Sequence, residues 1–139
     1  MNIYFSCSIT GGRNDQAIYK LIVDHLLEAG NVVPTAHLSA PNVTGLESVV
    51  DPIEVFERDV TWVKDCDALI AEVSTPSHGV GYEVALALEK CKPVLCLYRK
   101  NAKVSKMITG NTTPTIRVSS YQTEGEALAL LDNFLKQIQ

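Results

Sequence analysis

The sequence predicts an α/β fold, a doubly wound parallel sheet of about five strands with helices on both faces. Three observations predict it. Short β-branched or apolar runs alternate along the chain with longer segments of helical period. One such run, 93–98 (PVLCLY), is apolar without interruption, as suits a parallel strand covered on both sides. The chain has 139 residues, 46% hydrophobic and 20% charged, enough for one domain (1–139) with a real core.

The elements follow in order. Residues 2–9 (NIYFSCSI) are β-branched and aromatic and read as a first strand, with TGGRND as the loop after it. From 15 to 29, apolar residues at Ala17, Ile18, Leu21, Ile22, Leu26 and Leu27 form a helical stripe, and Gly30 ends it. Residues 31–36 read as a short second strand. From 37 to 50 the periodicity fails and Ser, Pro, Asn, Thr and Gly accumulate, which predicts a long, functional loop. Asp51-Pro52 is a helix start, with Asp as N-cap and Pro at the first helical position; that helix runs to about 64. A third strand is expected at 68–73 (ALIAEV), a glycine-containing loop at STPSHGVG, and a helix at 82–91. The fourth strand is 93–98. A short helix at 103–108, a fifth strand at 115–118 and a final amphipathic helix at 124–138 complete the chain. This order is that of a Rossmann-like or flavodoxin-like domain. In such sheets ligands bind outside the carboxyl ends of the strands, where the 8–14 loop, the region around His37 and the 74–81 loop should meet.

Charge and composition exclude several classes. The net charge is −4 with no basic cluster, which argues against a nucleic-acid polymer as partner but not against a small nucleotide. No apolar run approaches a membrane span, and MNIYFSCSITGG lacks the basic-then-apolar plan of a signal peptide, so a cytoplasmic protein is expected (or a nuclear one in a eukaryote). Cys7, Cys66, Cys91 and Cys96 form no CxxC pair and read as free thiols in a reducing compartment rather than a zinc site. GxSxG and GxxxxGK[ST] are both absent, which removes a nucleophile elbow and a P-loop.

The residues that could carry chemistry are few. In SHGVGYE, Gly79 and Gly81 permit close backbone approach, and Glu83 stands at the start of the expected helix. A carboxylate in a first turn is also what the helix dipole favours, so this position alone supports either reading. Asp59 shares a helical face with Val55, Trp62 and Val63, unlike Glu57, Arg58 and Lys64. An acid among apolar neighbours needs a partner or a chemical role. Tyr4 is either a core aromatic or a hydroxyl that orients a carboxylate. Ser8 is either a loop hydrogen bonder or an anion ligand. His37 and His78 lack metal-ligand spacing with each other or with cysteine, and no metal is expected. Ser77 is a plain loop serine unless the segment 79–83 is a site.

Taken together, IYFSCSITGGRND, FERDVTW, DCDALIAEVSTPSHGVGYEVALAL, KPVLCLYR and SKMITG occur in one order over most of the chain. In that order they resemble the nucleoside 2-deoxyribosyltransferase superfamily, most nearly its 2'-deoxynucleoside 5'-monophosphate N-hydrolase branch. The resemblance implies that Glu83 is a nucleophile attacking the anomeric carbon of deoxyribose, with Asp59 as the second acid and Tyr4 holding the nucleophile's rotamer. It implies a 5'-phosphate held by Ser77, the Gly79 backbone and Ser8, and by Ser105 from a neighbouring subunit, hence a homodimer. Ile9, His37 and Val55 match positions around the base. No cofactor is implied.

Three departures bear on the substrate. Cys7 stands where the family often has glycine, Thr10 where the hydrolase branch commonly has arginine (Arg13 is nearby), and His78 where an apolar residue is usual. They leave open a transferase that exchanges bases on unphosphorylated deoxynucleosides, or an N-glycosidase acting on ribonucleotides. A non-catalytic nucleotide-binding module is the reading from outside enzymology. The trio Glu83, Asp59 and Tyr4 weighs against it, since binding alone does not require them.

Overall fold

The structure is a computed structural model that describes residues 1–9, 15–42, 45 and 48–139. Its centre is a parallel sheet of β1 (Ile3–Ser6), β2 (Ala68–Glu72), β3 (Val94–Arg99) and β4 (Ile116–Tyr121), side by side in that order. The helices described in full are α1 (Gln16–Glu28), α2 (Pro52–Asp65), α3 (His78–Glu89), α4 (Lys106–Thr109) and α5 (Glu124–Ile138), with a 3-10 turn at Ala36–Ser39.

The expected count of about five strands is corrected to four. The segment 31–36 makes only a bridge, in which Val32 pairs with Asn2 through the bonds Ile3 N to Val32 O (2.8 Å) and Val32 N to Met1 O (2.9 Å). The reason is local. Pro34 has no N–H to continue a ladder, and the chain turns at once into the 3-10 turn. The bridge still lies on the outer side of β1, so the chain runs outward from β1 and then returns to place β2 on its other side. That reversal at β1 is a topological switch point, where the crevice beyond the strand ends takes ligands.

Alternation along the strands divides the core. Ile3, Phe5, Ala68, Ile70, Leu95 and Leu97 point to one face, against α1 and α5. Tyr4, Leu69, Ala71, Val94 and Cys96 point to the other, with Val63 of α2 and Val80, Val84 and Ala87 of α3. Because successive side chains alternate, Tyr4 and Ser6 share the α3 face while Glu72 falls on the α1 and α5 face. Cys7, Cys66 and Cys96 are buried free thiols, and Cys91 is exposed. Among the described residues, no helix is long and apolar enough to cross a membrane.

Helix starts follow their caps. Asp51 accepts from Ile53 N at 2.8 Å with Pro52 at the first position, as expected. The third helix departs from expectation, since it begins at His78 and not near 82. Ser77 caps it, and Gly81 N already bonds Ser77 O at 3.2 Å. Two glycines inside a helix cost about 1 kcal/mol each relative to alanine, so by local propensity alone the segment favours a loop. Burial of Val80, Val84 and Ala87 against the sheet outweighs that cost. Glu83 therefore stands in the second turn, where the dipole explanation for an N-terminal acid no longer applies.

Candidate active site

The site forms where β1 meets α3. Tyr4 donates its hydroxyl to Glu83 Oε1 at 2.9 Å, and Ser6 donates to Glu83 Oε2 at 2.5 Å. Two-residue spacing on β1 aims both hydroxyls at the same helix. Tyr4 is fully buried and Ser6 is 1% exposed, so both donors are fixed in the sheet. Glu83 itself is partly exposed.

Opposing effects set the charge of Glu83. Burial disfavours its ionised form most strongly, the bonds from Ser6 and then Tyr4 favour it, and the nearby negative charge of Asp59 disfavours it; the result is a carboxyl pushed up to about 7. Tyr4 is shifted far upward by burial first and then by the charges of Glu83 and Asp59, so its hydroxyl stays protonated and remains a donor. The arrangement yields an aligned carboxylate whose ionisation burial pushes up to about 7.

Asp59 approaches from α2. Its side chain is 16% exposed, and Oδ1 accepts from Arg58 Nε at 2.8 Å. The guanidinium carbon of Arg58 lies 5.0 Å from the centre of the Trp62 ring, and His37 packs edge-on to that ring at 6.1 Å. The face predicted for Asp59 is thus real, with Val63 fully buried and Val55 and Trp62 half-buried. Arg58 was expected among the solvated residues. It is instead half-buried, because it pairs with Asp59 and covers the indole. Ser6 and Arg58 are the two site residues that sequence reasoning missed. Ser6 carries one signal, its position two residues after Tyr4 on the same strand face.

The remaining expected residues divide. Ser8 is fully buried beyond the end of β1, and Ile9 is half-buried next to it. His37 lies in the 3-10 turn, against Trp62. Ser77 caps α3, its Oγ accepting weakly from Val80 N at 3.4 Å. A side chain at Gly79 would come no nearer than 3.9 Å to another group, that group being Ser77 Oγ, so the chain itself does not fill the space there. Thr10 and Arg13 lie outside the described residues.

Ser105 caps α4, and lines with Ser77 a pocket of about 630 Å³. That pocket also takes Gly81, Ala85 and Leu88 of α3, and Glu83 is not part of it. At 3.6 residues per turn, Gly81 and Ala85 are each about 200° round the helix from Glu83. This pocket is therefore on the opposite flank of α3 from the carboxylate. Ser77, at the head of the helix, belongs to the rim of this pocket. Within one chain the structure does not bring Ser105 to Glu83. Among the described residues, no cluster of three or more His, Cys, Asp or Glu is arranged to hold a metal ion.

Comparison with known proteins gives a consistent family. The model of the nucleoside 2-deoxyribosyltransferase family matches residues 3–134. A protein of Methanosarcina mazei named as a 2'-deoxynucleoside 5'-phosphate N-hydrolase is 38% identical over 137 residues, covering 99% of this chain and 85% of the relative. The 5-hydroxymethyl-dUMP N-hydrolase of Danio rerio is 39% identical over 142 residues, covering 99% of this chain and 98% of the relative. Among solved structures, a CMP N-glycosidase of Clostridium botulinum superposes with a TM-score of 0.72 at 21% identity over 95% of this chain and 98% of its own, which is a likeness of fold. With a family model spanning nearly the whole chain and relatives near 40% identity, this chain belongs to the nucleoside 2-deoxyribosyltransferase family.

Proposed function

We propose that the protein hydrolyses the N-glycosidic bond of 2'-deoxynucleoside 5'-monophosphates, releasing free base and 2-deoxyribose 5-phosphate. The observation that carries this reading is the Glu83 carboxylate, held on both oxygens by Tyr4 and Ser6 with Asp59 close enough to shift its ionisation. The names of the relatives, an N-hydrolase of deoxynucleotides and one of 5-hydroxymethyl-dUMP, support the same substrate class.

The chemistry runs in two steps. A Glu83 oxygen bonds to C1' as the C1'–N bond breaks, and the bonding pair leaves with the base. The base nitrogen takes a proton from solvent, which the Asp59 carboxylate relays directly or through water. Water then attacks C1', loses its proton to Asp59, and releases Glu83 as a carboxylate. Tyr4 keeps the nucleophile's orientation through both steps. Ile9, His37 and Val55 border the base; Ser8, Ser77 and the Gly79 backbone receive the phosphate. Burial pushes the Glu83 carboxyl up to about 7, and the bonds from Ser6 and Tyr4 favour the ionised form that attacks.

Ser105 enters the reading only through a second copy. The pocket it lines is mostly apolar, with Val80, Val84, Leu88 and Ile108 in its wall, and Met107, also in that wall, is 81% exposed. A homodimer that covers this flank of α3 would carry Ser105 to the neighbouring phosphate.

A panel of deoxynucleotides, ribonucleotides and unphosphorylated nucleosides tests the activity. Release of free base and deoxyribose 5-phosphate from at least one deoxynucleotide is the expected result. No release from any of them, with folded protein, ends the reading. Base exchange on an unphosphorylated nucleoside faster than nucleotide hydrolysis would replace it with a transferase.

A further inference from the structure

We propose that Ser6 is a positioning residue for Glu83, the second of two hydroxyls that pin its carboxylate in the plane from which it attacks. The inference rests on the nucleophile reading above and adds a residue that reading does not require.

The terminal torsion of a glutamate side chain is broad, so one donor leaves the carboxylate free to turn about that single bond. Tyr4 holds only Oε1. The Ser6 hydroxyl, 2.5 Å from Oε2, supplies the second point that stops the rotation. A nucleophile held in a near-attack orientation gains rate without tighter substrate binding. Ser6 can serve in this way because it is 1% exposed and sits on a strand paired to β2, so its hydroxyl cannot follow a moving helix side chain.

The same bond acts on charge. Ser6 is the stronger of the two hydrogen-bonding influences that keep Glu83 ionised against its burial. The charged and titratable groups around Glu83 are few. Tyr4 comes from β1, Asp59 with its partner Arg58 from α2, and His37 stands behind Trp62. On α3 itself, His78 and Tyr82 are exposed. Removing the Ser6 hydroxyl leaves Oε2 without that bond and the carboxyl more reluctant to ionise.

The experiment compares wild type, Ser6→Ala and Ser6→Cys on the best deoxynucleotide, across pH. For Ser6→Ala, kcat should fall about 10-fold or more with KM within about 2-fold, as expected for losing a hydrogen bond to a charged group. The acid limb of kcat/KM should also move up by about one pH unit. Ser6→Cys keeps a weak donor in the same place and should recover part of both effects. An unmoved acid limb with unchanged kcat, or a loss confined to KM, overturns the proposal. Should Ser6→Ala not fold, Ser6→Cys decides alone. An acid limb above the wild-type position supports the proposal, and a profile identical to wild type overturns it. If wild type turns over no nucleotide, the functional reading fails separately. The carboxyl carbon of Glu83, titrated by NMR in wild type and Ser6→Cys, then decides the Ser6 role: a higher midpoint in the variant supports it and an equal one sinks it.

Discussion

Glu83 and Glu72 are held in closely similar ways on opposite faces of the sheet. Each accepts a tyrosine hydroxyl at 2.9 Å and a serine hydroxyl at 2.5 Å: Tyr4 and Ser6 for Glu83, Tyr121 and Ser74 for Glu72. Burial pushes both carboxyls above their ordinary range. Two differences separate them. Glu72 is completely buried while Glu83 is partly exposed. Glu72 receives both hydroxyls on Oε1 and the Ser74 backbone N–H on Oε2, and Ser74 Oγ in turn accepts from Arg99 N. Its bonds thus tie the ends of β2, β3 and β4 together. The bonds of Glu83 tie a strand to a helix. An unusual acid with a tyrosine and a serine is therefore not in itself a site; exposure to solvent separates the carboxylate proposed as nucleophile from the wholly buried one.

The largest expected break in this comparison is Glu83→Ala. Turnover of the best deoxynucleotide should fall by at least about 10³-fold, as for loss of a covalent nucleophile, while thermal unfolding still shows a folded protein. Glu72→Ala should do the converse. It leaves the Tyr121 hydroxyl and the Ser74 hydroxyl and N–H without their acceptor, so stability should drop by about 2–4 kcal/mol in a denaturant titration. The kcat/KM of the folded fraction should stay within about 3-fold of wild type. A large activity loss with unchanged stability would show that Glu72 acts on the reaction.

The smallest effect concerns pH. Glu83 is raised from its ordinary 4.5 to about 7. Below the unfolded value it is protonated in both states and contributes no difference. As pH rises through the folded value, the folded state must ionise a carboxyl that burial disfavours, and stability is lost. Glu83→Gln removes that cost. It should leave stability unchanged at pH 4 and raise it at pH 8 by roughly 1–3 kcal/mol, read from unfolding curves at the two pH values. Equal stability at both pH values would show that the carboxyl is not strained by its burial.

Much of this was legible in the residues themselves. The alternation of strands and helices, the Asp51-Pro52 start and the isolation of Asp59 on an apolar face all follow from local period and capping. The second strand was overread because 31–36 carries strand propensity, whereas Pro34 and the turn after it leave room for a single bridge. Helix α3 was started late because glycines weaken a helix locally, and only packing against the sheet shows that this one forms regardless. Arg58 was misplaced for the same kind of reason, since its burial depends on the indole and carboxylate it meets.

The sequence by itself determined the class of fold, the family pattern and a short list of candidate acids, because those depend on period, spacing and residue type along one segment at a time. Tertiary structure alone decided which acid meets which donor. Tyr4 and Ser6 are 79 and 77 residues from Glu83, and Tyr121 is 49 from Glu72. Parallel pairing and the two-residue alternation of β1 and β2 send these side chains to opposite faces of one sheet, and of the two carboxylates only the one beside α3 is partly exposed.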